Sequence, residues 1–495
     1  MPRPPSQALA DVAETRLGRI AALAAPADKP QLSGFRLLPE AGHAFEARLA
    51  LMRRAEKSLD VQYYLIQNDD IGQQFLRELR DAAVRGVRVR LIVDDLYAAG
   101  EDELLTGLAA YPNVEVRIFN PLPVRAGSFA SRLVFSLHEF GRINHRMHNK
   151  LFIADNTFAV CGGRNIGNEY FMHSSAANFI DVDVLASGPV VRELSDTFDT
   201  YWNSEHVYPV EQVAYAQQEG AAAQRRFDEL VHAAAPPIPV RERDVLGRTP
   251  LAQQLDSGTL DLYFASAQVL ADSPDKLKRS LEESYRGSVT EGTLKRFNSA
   301  RSSITITSPY MVPKPQNLEM MKNAIDHGIS VVLLTNSLAA TDEPLVHWGY
   351  ARYRLAMLKI GVKIYELSPT LARKSLQFGS FGGSFGRMHA KVASIDGRWL
   401  FVGSMNLDGR SARLNTEVGL IVDSPELAAD LMRLVRTDRL TSAYRLRLAE
   451  GGNDIEWVET DADGKETVHV EEPGGSWWLR LKNRLLSVFV MEEHL

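Results

Sequence analysis

The sequence predicts an α/β protein of two related halves, each a mostly parallel mixed sheet flanked by helices, with a shared site where the halves meet. Three observations predict it. A strand–helix–strand pattern occurs twice, about half a chain apart. A His-x-Lys motif also occurs twice, at matched distances from those patterns. A polar stretch running into prolines, residues 214–243, separates the copies.

The elements follow in order. Leu59–Ile66 and Ile304–Met311 are strand-like runs. Ile71, Phe75, Leu79 and Ala82 then recur at helical spacing, as do Leu318, Met321 and Ile325 in the second copy. Gly86 and Gly328 stand where a left-handed helix cap belongs. Val87–Val93 and Ile329–Leu334 are dense enough for buried parallel strands. Such βαβ units imply sheets covered by helices.

The motifs come next. "RMHNKLFIAD" (146–155) returns as "RMHAKVASID" (387–396). His148 lies 90 residues after Ser58, and His389 lies 86 after Ser303. On a strand, a histidine and a lysine two apart share one face. Asn165 and Asn406 each follow 17 residues after their histidine. Asp181 and Glu417 each stand eight residues before a proline. The expected units are an extension over 1–34, a first half over 35–215, a linker over 216–255, a second half over 256–450 and an amphipathic tail over 451–495.

Bulk properties narrow the function. The chain has 495 residues, 45% hydrophobic and 24% charged, enough for a sizeable core. Net charge is −6, which argues against a general grip on nucleic acid. The single cysteine, Cys161, rules out a disulfide framework within the chain. No apolar run is long enough to span a membrane, and Asp11, Glu14 and Arg16 interrupt the N-terminal apolar residues, against a secretory signal.

The repeated residue types suit phosphoryl chemistry. Lysine and asparagine donate to non-bridging phosphate oxygens. One imidazole attacks phosphorus while the other protonates the leaving alcohol. A carboxylate on the far ring nitrogen fixes the tautomer; Asp181 and Glu417 are the candidates, Asp181 standing in for Asp155 beside the first pair. Asp155 and Asp396 either join the catalytic set or cap the turn that ends their strand. A motif lysine two residues from each histidine would repel a metal ion, so no metal is expected.

At these residues the sequence resembles the phospholipase D superfamily, which carries His-x-Lys-x-x-x-x-Asp twice; the resemblance spans roughly residues 35–450. It implies no metal or organic cofactor, a phosphohistidine on one motif histidine, and an acid/base role for the other. By resemblance the nucleophile is His148 and the acid/base His389, each beside Lys150 or Lys391. The family's Gly-Ser-x-Asn is intact at Gly403, Ser404 and Asn406. Asn165, Ser404 and Asn406 are expected on the substrate phosphate. Gly163 stands where the first copy should have serine, so one hydroxyl contact is expected to be missing.

Within the superfamily, "SLDVQYYL", "NHRMHNKLFIADNTFAVCGGRNIGNEYF" and "TNSLAATDEPLVHWGYARYR" resemble bacterial cardiolipin synthases, most of all the C group. That implies transfer of a phosphatidyl group to phosphatidylglycerol, the donor being phosphatidylglycerol or phosphatidylethanolamine. The alternative is a phospholipase D-type hydrolase releasing phosphatidic acid, with a nuclease behind it. The expected partners are phospholipids and a bacterial inner membrane, held peripherally with the cytoplasmic face favoured, and not nucleic acid. Three segments are candidate lipid contacts. In 476–495, Arg480, Asn483, Arg484 and Ser487 form a polar stripe beside Trp477, Leu481, Leu485 and Val488. The other two are 123–144 and the Gly/Phe-rich 374–386.

Overall fold

The computed structural model describes residues 4–215, 218–232, 238–374, 384–435 and 440–474. The C-terminal stretch 476–495 and most of 374–386 lie outside the described residues.

The first half contributes β1 (Ser33–Leu38), β2 (Ser58–Tyr63), β3 (Arg88–Asp94), β4 (Val114–Phe119), β5 (Lys150–Ala154), β6 (Phe158–Gly162), β7 (Ala177–Ile180), β8 (Asp183–Ser187) and β9 (Val207–Pro209). The second contributes β10 (Tyr263–Ala271), β11 (Ser303–Thr307), β12 (Ser330–Asn336), β13 (Lys363–Leu367), β14 (Phe385–Met388), β15 (Val392–Ile395), β16 (Trp399–Gly403), β17 (Val418–Asp423) and β18 (Ala443–Leu448). A hairpin, β19 (Ile455–Thr460) and β20 (Glu466–His469), extends the second sheet past residue 450.

The pairings repeat. The first half-sheet runs β9-β4-β3-β2-β5-β6-β8-β1. The second runs β18-β13-β12-β11-β15-β16-β17-β10, the same order strand for strand. Equivalent edge strands join: β1 pairs antiparallel with β10, Gly34 opposite Phe264, as a pseudo-two-fold axis requires. The sheet is mixed, but parallel pairing is confined to β2-β3-β4 and β11-β12-β13. The mostly parallel expectation read the βαβ units correctly. It undercounted the strands joined by tight turns, whose two-residue polarity leaves no helical crossover.

Three apolar clusters hold the layers. One lies under the outer helices of the first half, including Ala41–Arg54 and Asp70–Val84. One is shared, with Leu151, Ile153 and Val184 of the first half meeting Val402, Leu420 and Val422 of the second. The third lies under the helices of the second half. The helix Asp70–Val84 matches the spacing read from sequence: Asp69 caps it by accepting from Gly72 N–H, and Ile71, Phe75, Leu79 and Ala82 are buried. Its equivalent, Pro315–Asp326, has no buried residue. The linker helix Gly220–Leu230 buries Ala223 and Phe227 against the first half.

Candidate active site

Two crossed pairings between the halves build the site. β14 runs parallel to β7, and this carries on into His389, whose N–H donates to Ile180 O at 2.8 Å. The symmetry-related contact is a bridge between Met147 and Thr416, with His148 N–H donating to Thr416 O at 2.9 Å. Each histidine is thereby laid beside the residue that follows its backbone hydrogen-bond partner. That residue is Asp181 for His389 and Glu417 for His148.

The acids therefore cross over. Nδ1 of His148 is 2.9 Å from Glu417 Oε2, and Nδ1 of His389 is 2.7 Å from Asp181 Oδ2. The sequence placed Asp181 beside the first pair; it belongs to the second. Periodicity orders residues within one half and carries no signal for a strand contact between halves, which is why the exchange was not legible.

Each lysine braces its own histidine. Lys150 Nζ donates to His148 O at 2.7 Å, and Lys391 Nζ donates to His389 O at 2.6 Å. All four side chains are buried. Burial is the main force on their titration. It pushes His148 down to about 4, against the pull of Glu417 and with help from Lys150. It lowers His389, with Lys391 adding to the effect. It lowers Lys391 to about 8 and also holds Lys150 well below its ordinary range. Burial opposes ionisation of Asp181, but the bond and charge of His389 hold it down at about 2. Glu417 is lowered in the same way by His148. Burial thus works against the cation on each imidazole, and the carboxylate on its Nδ1 works for it.

The two acids are held differently. Glu417 also accepts from the hydroxyls of Ser404 and Ser411. Ser404, expected on substrate phosphate, spends its hydroxyl on this carboxylate. Asp181 has no such serine, because Gly163 occupies the equivalent position. A Cβ there would lie 2.3 Å from Asp181 Oδ1. Gly163 therefore marks space already filled by a carboxylate.

Asn165 donates to the Tyr170 hydroxyl at 2.8 Å. Asn165 and Asn406 each keep a buried Oδ1 with no partner among the described residues. Asp155 and Asp396 lie away from this chemistry. Asp155 accepts from the N–H groups of Glu56, Lys57 and Ser58; Asp396 accepts from those of Arg301, Ser302 and Ser303. Both have positive φ in the turn that ends their hairpin strand. Their carboxylates cap the start of β2 and β11 rather than the turn that follows their own strands.

Sequence reasoning missed the aromatic walls. Tyr170 and Phe179 lie against His389, at 5.3 and 4.9 Å between centroids. Tyr64 lies 5.1 Å from His148, Tyr97 5.4 Å from Tyr64, and Phe129 stacks on Tyr97 at 5.9 Å. Phe129 opens the helix Phe129–Ser136; Val134 and Phe135 within it, and Leu137 and Phe140 after it, are exposed. A cavity of about 330 Å³, lined by Tyr97, Tyr170, Phe179, Asp342 and Arg387, draws on both halves beside His389. The signal available in sequence was the "QYYL" and "NEYF" runs flanking each element.

Among the described residues, the one acidic–histidine cluster with metal-ligand spacing is Glu205, His206 and Asp275, remote in sequence from both motifs. No described helix is long and apolar enough to cross a membrane.

The family profile "Cardiolipin synthase, PLD-like domain" matches residues 49–202 and 293–439. Cardiolipin synthase C of Escherichia coli K12 is 37% identical over 91% of this chain and 93% of its own. Cardiolipin synthase A of Pseudomonas fluorescens Pf-5 is 25% identical over 81% of this chain and 68% of its own. The crystal structure of phosphatidylserine synthase from Haemophilus influenzae Rd KW20 covers 97% of this chain and 100% of its own, with a TM-score of 0.56 at 13% identity, a likeness of fold. The chain belongs to the cardiolipin synthase, PLD-like domain family, and is a cardiolipin synthase-like phosphatidyltransferase of the phospholipase D superfamily.

Proposed function

We propose that the protein makes cardiolipin by a two-step transfer through a phosphohistidine on His148. In the first step Nε2 of neutral His148 attacks the phosphorus of a phosphatidyl donor. The P–O bond to the headgroup alcohol breaks, and His389, protonated once the phosphodiester anion is in place beside it, gives that oxygen its proton. In the second, His389 takes the proton of a phosphatidylglycerol hydroxyl. The resulting oxygen attacks phosphorus, and the P–N bond breaks to free His148.

The crossed His–carboxylate pairs carry this reading. A carboxylate on Nδ1 directs the Nε2 lone pair at substrate and stabilises cationic imidazole. Glu417, fixed by two serine hydroxyls, suits a ring that must hold one orientation for attack. Asp181, kept ionised at about 2, suits a ring that gains and loses a proton. Lys150, Lys391, Asn165 and Asn406 are the proposed contacts of the non-bridging oxygens. Arrival of a phosphodiester anion restores the charge that burial suppresses on the lysines.

The exposed apolar residues of 134–140, joined to the site by the Tyr64–Tyr97–Phe129 stack, support peripheral docking on the membrane that supplies both lipids.

The test is incubation with phosphatidylglycerol, with and without phosphatidylethanolamine, and mass analysis of the lipids. Cardiolipin is expected. Phosphatidic acid alone would make the enzyme a hydrolase, and DNA cleavage without lipid turnover would overturn both lipid readings. His148→Ala should abolish transfer of label from a phosphatidyl donor to the protein. Labelling that survives it but is lost in His389→Ala would reverse the two roles.

A further inference from the structure

The sequence repeat implies two equivalent helices packed on their sheets, and only one of them is. Asp70–Val84 buries Ile71, Phe75, Leu76, Leu79, Ala82 and Ala83. Pro315–Asp326 occupies the same place on the second sheet and buries nothing. Its apolar residues, Leu318, Met321, Ala324 and Ile325, reach the core only in part. Beneath it lies a cavity of about 560 Å³.

The walls of this cavity are largely apolar. Ile304 and Ile306 of β11 form its floor, Leu294 and Phe297 one side, and Met320 and Met321 the helix above. The space opens to solvent past a polar rim that includes Lys314, Asn317, His327 and Arg413, while its inner surface stays apolar. The volume falls within the range of about 300–1,000 Å³ common to small-molecule sites.

One end of the cavity is made by the loop that carries the site. Leu407, Asp408 and Gly409 line it, directly after Asn406. Met311 bridges to Leu407, and Val312 N–H donates to Leu407 O at 2.9 Å, so the strand end and the site loop share this wall. Asp408 is close enough for its charge to act on Lys391 and to feel Glu417. An apolar space that starts at the phosphate-binding loop and runs away along the sheet has the layout for a chain attached to that phosphate.

We propose that this cavity is an acyl chamber, holding one fatty acyl chain of the glycerophospholipid whose phosphate lies between His148 and His389. The inference rests on the phosphatidyl-transfer reading and adds to it where the diacylglycerol portion lies. In the first half the equivalent helix is packed onto its sheet, with Phe75, Leu76 and Leu79 buried. The two-fold symmetry of the catalytic groups is therefore broken at the lipid tail, and only one half grips an acyl chain in this way.

Filling the chamber tests the proposal. Ala324 and Ala412 line it from opposite sides. Ala324→Phe should lower transfer from a dioleoyl donor in mixed micelles about tenfold or more, while a dihexanoyl donor, too short to use the chamber, stays within about twofold of wild type. Equal effects on the two donors, or no effect on either, would overturn the chamber and leave the transfer reading intact. Failure of the wild-type protein to turn over either donor would instead sink the transfer reading, and the chamber with it. If Ala324→Phe loses its far-ultraviolet circular dichroism, Ala412→Phe carries the same expectation and the same two refutations.

Discussion

Glu417 lies 269 residues from His148 in sequence and 2.9 Å from its Nδ1 in space. The reciprocal pair, Asp181 and His389, is separated by 208 residues and 2.7 Å. Each acid acts on the histidine of the other half.

Removing either negative charge should impair one histidine and spare the other. Glu417→Gln and Asp181→Asn should each lower kcat at least about a hundredfold with little change in KM. Phosphoenzyme formation should fail in Glu417→Gln. In NMR titration, Glu417→Gln should move the His148 resonance and Asp181→Asn that of His389. Resonances that move within the same half would contradict the crossing.

Gly163→Ser restores the family's motif on paper and should damage the enzyme. The new Cβ would press on Asp181, 2.3 Å from Oδ1 and 2.8 Å from Oδ2. The carboxylate must shift away from His389, and turnover should fall about tenfold or more. Ser404→Ala should instead act through Glu417 and His148. Turnover that rises in Gly163→Ser would show that the glycine leaves a vacancy after all.

Stability should fall as pH drops from about 6.5 towards 4. In the unfolded chain His148 titrates near its ordinary 6.5, whereas folded it stays neutral down to about 4. Between those values the unfolded state binds the extra proton, so acid favours unfolding, by roughly 3 kcal/mol from this residue at the bottom of the window. His389, also lowered, acts in the same direction. Thermal melts across this range should show the drop, and His148→Asn should flatten it. A wild-type melting temperature constant from pH 6.5 to 4 would refute the argument.

The exposed stretch beside the site should matter only at a membrane. Phe135→Asp with Leu137→Asp should reduce sedimentation with phosphatidylglycerol vesicles several-fold and slow transfer there. Turnover of a soluble short-chain donor should stay near wild type. Unchanged vesicle binding would remove this surface from consideration.

Much of this was legible in the sequence because it repeats. Two copies of a motif expose one another, and His148, Lys150, His389 and Lys391 stood out for that reason. The succession of β2 and β3, and of β11 and β12, was legible from a helical period flanked by dense apolar runs. Three things were not. The exchange of Asp181 and Glu417 depends on Met147 meeting Thr416 and β14 meeting β7, contacts between distant segments that no local period encodes. The backbone that Asp155 and Asp396 serve, at the start of β2 and β11 rather than in their own turns, was hidden too, since spacing cannot say which way a turn carboxylate points. The helix at 315–326 has the same apolar spacing as its equivalent, and spacing alone cannot tell a filled core from a hollow one.

The join between β1 and β10, with the crossed acids, sets the stoichiometry of the catalyst. A single half would hold a histidine and a lysine but not the carboxylate that orients them. It would be complete only as one of two copies about a two-fold axis, each lending its acid to the other. Tethering both copies in one polypeptide fixes their ratio at one to one and frees them to diverge. Serine opposite glycine, glutamate opposite aspartate, and a hollow helix opposite a packed one are the record of that freedom: a symmetric pair has become a machine with distinct left and right hands.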